Sequence, residues 1–162
     1  MIKARHRPPG FTQDFLSDQI DRLWPPWMGE ADQVLEDEQL VALVYEALAQ
    51  RHPQSRTRGR PGTPAEVVLR MLVLKHMRDW SFQILEWEVR ANLVYRRFTR
   101  VGAGKVPDAK ALGRQAQALG PQVIQKIHAR MVDIARENKI ATGRRLRVDT
   151  TVVENQHSPP DR

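Results

Sequence analysis

Apolar residues recur at helical intervals along most of this chain. Phe15, Leu16, Ile20 and Leu23 share one face of a first helix, which Trp24-Pro25-Pro26 stops, since proline removes a backbone donor and collides with the preceding turn. Leu40, Val41, Val44, Tyr45 and Leu48 define a second helix, and the prolines and glycines between Arg51 and Gly62 mark a loop or linker. Thr63 as N-cap, Pro64 at the first helical position and Glu66 three residues after the cap form the pattern of a capping box. The body of that third helix, Val67 to Leu74, is apolar on nearly all sides and predicts the element around which the others pack. After a break at Asp79-Trp80, Ser81 caps a fourth helix through Phe82, Leu85, Glu86 and Val89, and Leu93 to Phe98 either continues it or forms a short fifth. Val101 to Pro107 is a loop. Asp108 caps a helix to Leu119, and Gly120-Pro121 ends that helix and opens another, whose stripe of Val123, Ile124, Ile127, Met131 and Ile134 runs to about Asn138.

The pattern changes after Thr142-Gly143. Residues Leu146 to Val153 are rich in β-branched side chains and predict a strand, the one convincing strand of the sequence. A lone strand cannot satisfy its own backbone groups. The expected fold is therefore mainly α: a helical bundle with a helix-turn-helix-like region over residues 1–143, then, over 144–162, the start of a sheet-containing domain that the chain leaves incomplete.

Charge and composition narrow the function. A chain of 162 residues is one domain or slightly more, enough to bury about 70% of the surface exposed on unfolding. Its 26 Lys and Arg against 19 Asp and Glu leave +7, which favours polyanionic partners, nucleic acid first. The charge is segregated. Thr12 to Glu38 carries eight acids and one base, whereas Arg51 to Arg60 holds four arginines without an acid. Arg96 to Arg114 carries Arg96, Arg97, Arg100, Lys105, Lys110 and Arg114 against Asp108 alone. The absence of cysteine excludes disulfides, thiolate metal sites and cysteine nucleophiles. The longest apolar run, Val67 to Met77, is interrupted by Arg70, Lys75 and His76 and falls far short of the roughly 20 residues that span a bilayer. The basic N-terminus lacks an apolar segment behind it, so a cytoplasmic, nucleoid-associated location without membrane contact is expected.

Two features are candidates for chemistry. The basic stretch, with a Gly-containing loop and a capped helix bearing Lys110 and Arg114, has what a helix-turn-helix-like module needs to set cations against phosphates. The alternative is a solvated charged face, and Asp108 opposes a direct approach of its helix start to phosphate. Asp149 lies in an apolar strand, where a carboxylate must be paired, exposed or bound to a cation. It reads either as a partner of Arg145 or Arg147 or as a ligand of Mg²⁺ in a two-metal phosphoryl-transfer site, which needs further carboxylates. The five histidines have no metal-binding spacing, and the tryptophans Trp24, Trp27, Trp80 and Trp87 are expected to anchor helix packing rather than stack on bases.

Three segments in order resemble the N-terminal InsH-type domain of bacterial insertion-sequence transposases. They are Thr63 to His76, Glu88 to Phe98 and Val106 to Arg114, and Arg147 to Glu154 looks like the strand that opens the family's DDE catalytic domain. The resemblance covers about residues 60 to 155. It implies that Asp149 is the first carboxylate of a DDE triad and a metal ligand, that the fold it begins is RNase H-like, and that the complete enzyme cuts and rejoins DNA with Mg²⁺. It also implies that the helical domain recognises terminal inverted repeats. His157-Ser158-Pro159-Pro160-Asp161-Arg162 departs from the family's continuation. The expectation is a truncated transposase that binds DNA, holds no metal tightly and is inactive alone. Alternatives are a regulatory fragment that pairs with itself or with full-length transposase, and one subunit of a split enzyme.

Overall fold

A computed structural model describes residues 2–5, 19–50 and 62–138. Behind a helical turn that ends at residue 21 come α1 (Pro26–Leu35), α2 (Glu38–Ala49), α3 (Ala65–Arg78), α4 (Phe82–Ala91), α5 (Leu93–Phe98) and α6 (Ala109–Glu137). The described residues are mainly helical and contain no strand; the predicted strand at 146–153 lies outside them.

The core draws on every helix. Met28 and Leu35 of α1, Leu40, Val44 and Leu48 of α2, Val68, Met71 and Leu74 of α3, Leu85 and Val89 of α4, Phe98 of α5 and Leu112 of α6 are buried together. Each contributes about 1.5–3 kcal/mol by leaving water. As its sequence predicts, α3 is buried on nearly every side. The two most extensive helix pairings, however, are both made by α2, with α6 and with α3.

Local cap chemistry sets several boundaries as read. Ser81 Oγ accepts from Ile84 N at 3.2 Å, and Asp108 Oδ1 accepts from Ala111 N at 2.7 Å. Asn92 Oδ1 accepts from Val94 N, which starts α5 as a separate short helix. Gly120, at φ 67° and ψ 169°, breaks α6 into two arms. Only glycine adopts that backbone without strain.

One stop signal also opens a helix that the sequence reading did not include, and one expected cap fails. Pro25-Pro26 stops one helical turn but also starts α1, with Pro25 as N-cap and a proline in the first turn, where the missing N–H costs nothing. The capping box at Thr63 does not form: α3 begins at Ala65 without a side-chain cap. Its first amides are taken instead by the N-terminal segment, Ala65 N donating to Lys3 O at 2.9 Å and Glu66 N to Ala4 O at 3.0 Å. Glu66 is thereby released from capping and faces inward.

Candidate nucleic-acid interface

Inward-facing Glu66 meets a cation buried where the sequence suggests only apolar packing. Arg70, fully enclosed in the middle of α3, donates from Nε to Glu66 Oε1 (3.3 Å), from Nη1 to Asp32 Oδ1 and Phe98 O, and from Nη2 to Glu36 Oε1 (2.9 Å). Its guanidinium also lies 5.8 Å from the centre of the Phe98 ring. A charge this deep survives only with partners and hydrogen bonds for its donors. Arg100 adds bonds to Asp32 (3.0 Å) and Glu36 (2.7 Å), and Arg5 reaches Glu36 (3.1 Å) and Glu66 (3.3 Å). Three arginines and three carboxylates thus cancel. Burial acts to raise the Glu36 pKa, but the hydrogen bond from Arg100 and the charges of Arg70, Arg100 and Arg5 outweigh it, holding the carboxyl below its ordinary value. Nearby, the hydrogen bond from Arg130 (2.7 Å) is the main cause that lowers the Asp37 carboxyl, against burial, while Leu40 N also donates to it.

This arrangement decides where the six basic candidates stand. Arg100 belongs to the buried cluster, and its backbone is left-handed at φ 59°, a conformation the guanidinium contacts help to hold. Arg97 forms a two-pronged pair with Asp21 at 3.0 and 3.1 Å. Arg96 ties down the following loop, donating to Gly102 O (2.8 Å) and Gly104 O (2.7 Å). These three side chains have structural work inside the fold. Lys105, Lys110 and Arg114 are exposed and have no carboxylate partner among the described residues.

The remaining cations gather on a different face. The first arm of α6 runs antiparallel to α4: Phe82 lies against Gly113, whose added Cβ would sit 3.9 Å from the ring, while Glu86 Oε2 accepts from Ala109 N at 2.7 Å. Lys110 and Arg114, one turn apart, look outward from this pair. The basic C-terminus of α3 adjoins it, with Lys75 5.1 Å from the Phe82 ring centre and Arg78 5.2 Å from that of Trp80. Arg90 completes the face, paired with Glu86 at 2.9 Å. Glu86 and Asp108 both occupy the N-terminus of α6, so phosphate is held off that helix end and the face works through its side chains.

Sequence reasoning missed Lys75, Arg78 and Arg90, because the first two close the last turn of the helix read as the core and Arg90 follows Glu86 and Glu88. It also misplaced one aromatic. Trp24 and Trp27 pack edge-on against Phe98 with centres 6.0 Å apart, and Trp80 packs against Tyr95 at 5.3 Å. Trp87 does not anchor packing; it is 71% exposed on α4. The signal was present in the helical register, since a buried stripe of Leu85 and Val89, with Phe82 partly buried beside it, leaves Ile84 and Trp87 on the outer side.

Asp149 lies outside the described residues. Among those residues no group of three or more His, Asp or Glu could hold a metal ion; Asp32, Glu36 and Glu66 converge, but arginines occupy their oxygens, so this site does not fit Mg²⁺. No helix among them is long and apolar enough to cross a membrane. No curated protein and no solved structure gives a significant match. A family model described as a transposase domain (DUF772) matches residues 28–117, which extends from within α1 into the first arm of α6 and takes in Arg70, Arg100 and all three of their carboxylates. The match spans more than half of the 162 residues, and the chain belongs to this transposase domain family.

Proposed function

We propose that this transposase-related domain binds duplex DNA at the terminal inverted repeats of a mobile element, through the face formed by the C-terminus of α3, α4 and the first arm of α6. The observation that carries the reading is the distribution of neutralisation. Acids of the negative N-terminal segment pair with Arg70, Arg97, Arg100 and Arg130, while Lys75, Arg78, Lys105, Lys110 and Arg114 have no carboxylate partner among the described residues. Cations in that state attract phosphate and release counterions when they meet it. Lys105, Lys110 and Arg114 remain proposed contacts; Arg96, Arg97 and Arg100 support the fold from behind. Strand cleavage is not assigned to the helical domain, and the role of Asp149 with Mg²⁺ stays with the family resemblance.

The test is affinity for inverted-repeat DNA across a salt series. Log K should fall linearly with log salt, with each phosphate contact contributing about 0.9 to the slope. Lys110→Ala and Arg114→Ala should each reduce that slope by about one. A profile independent of salt overturns the reading.

A further inference from the structure

The outer side of α4 presents Ile84 and Trp87 to solvent, one helical turn apart, Trp87 being 71% exposed and Ile84 47%. A large aromatic at this exposure has an unused apolar face, and its surroundings identify what chemistry would cover it. Arg90, one turn along the same helix, is half exposed and shares Glu86 with the backbone of Ala109, so that carboxylate is already engaged. Across the antiparallel contact lie Lys110 and Arg114, both exposed and without a carboxylate partner among the described residues. Glu88, only partly exposed, is the remaining acid beside the ring. An exposed indole on the same helix pair as Lys110 and Arg114, which have no carboxylate partner among the described residues, matches a ligand that carries flat aromatic rings on an anionic backbone, which is an unpaired stretch of nucleic acid.

We propose that Trp87 stacks on an unpaired DNA base while Lys110 and Arg114 hold the adjoining phosphates, so that the domain prefers a DNA end with exposed bases to a fully paired one. This inference rests on the proposed DNA-binding face and adds to it a particular form of substrate. Stacking is tolerant of base identity, because every base offers a π-face; the preference is therefore for unpaired structure rather than for sequence.

The experiment uses the full chain with two labelled duplexes of identical sequence, one blunt and one carrying a short single-stranded overhang of thymines. The wild type should bind the overhang duplex more tightly. Trp87→Ala should lower that affinity about ten-fold while changing blunt-duplex affinity little, and Trp87→Phe should retain most of the preference. Tryptophan emission should be quenched by the overhang in the wild type and not in Trp87→Phe, since the other three indoles are packed against neighbouring rings. Thermal melting of each variant confirms that folding is intact, as expected for an exposed position. Equal wild-type affinity for the two duplexes overturns the stacking role while leaving the DNA-binding face in place; failure to bind either duplex overturns both. If Trp87→Ala instead converts a dimer to a monomer in sedimentation and leaves the overhang preference unaltered, the surface serves a second copy of the chain and the proposal is wrong.

Discussion

Two sides of this domain carry arginine and lysine in opposite ways. On the side made by α1, α5 and the N-terminal half of α3, Arg70, Arg97 and Arg100 meet carboxylate oxygens and Arg96 meets backbone carbonyls, and Arg70 is fully buried. On the side made by the end of α3, α4 and the first arm of α6, the lysines and Arg114 meet only water or an aromatic ring. The most basic run of the sequence, Arg96 to Arg100, belongs to the first side. Charge density along a chain therefore says little about charge on a surface when an acidic segment of opposite sign is available to fold against it.

Removing the centre of the paired side should have the largest effect. Arg70→Met would leave Asp32, Glu36 and Glu66 without the buried cation at their centre, and losing one partner of a buried ion pair costs about 3–5 kcal/mol. Urea unfolding should record that loss. Adding Glu66→Gln should recover part of it, because Glu66 is the most buried of the three acids. A cost below about 1 kcal/mol for Arg70→Met would mean that the cluster is not an interdependent unit.

The two sides are joined by one helix, and its break is the next place to test. The first arm of α6 packs against α4, while the second arm sends Arg130 to Asp37 at the start of α2. The turn between them depends on Gly120, whose backbone lies in a region reserved for glycine. A Cβ there meets no atom within 4 Å, so Gly120→Ala isolates backbone strain from crowding. It should cost about 1–3 kcal/mol and lower the melting temperature, with DNA affinity at low temperature little changed.

Acid should loosen the paired side before the open one. Glu36 and Asp37 both have carboxyls held below their ordinary values by arginine. A group with a lowered folded pKa stabilises the fold above its unfolded value, about 4.3 for Glu and 3.9 for Asp, and that contribution is lost as the pH falls through the folded value. Stability from these two groups should stay level from pH 7 to about 5 and decline below about 4. Glu36→Gln should flatten the decline, as read from urea midpoints at each pH.

How much of this could be read from the chain follows from the distance over which each cause acts. Ser81, Asp108 and Gly120-Pro121 are legible because a cap or a break is decided within a few residues. The third helix misleads at Thr63 because its capping groups come from Lys3 and Ala4, about sixty positions away. The cations are harder still. Arg97 finds Asp21 across 76 positions and Arg130 finds Asp37 across 93, and no local pattern selects those acids from their neighbours. Of the six basic residues singled out by their run, Arg97 and Arg100 meet distant acids, Arg96 holds the carbonyls of its own loop, and the other three remain as candidates; the exposed Trp87 was hidden by the general habit of tryptophan to anchor packing.

The smallest expected effects distinguish the sides most directly. Arg97→Ala removes a partly exposed ion pair and should destabilise the fold by about 0.5–1 kcal/mol, leaving the salt dependence of DNA binding as it was because its charge was already cancelled by Asp21. Arg114→Ala should do the reverse: stability within about 0.5 kcal/mol of the wild type, and a log K against log salt slope smaller by about one. Asp21→Asn sharpens the contrast, since it removes the carboxylate that pairs bidentately with Arg97. If removing that negative charge strengthens DNA binding as much as Arg114→Ala weakens it, both sides face the duplex and neutralisation acts as a modulator of affinity; if binding is unaltered, DNA approaches the α4 side alone.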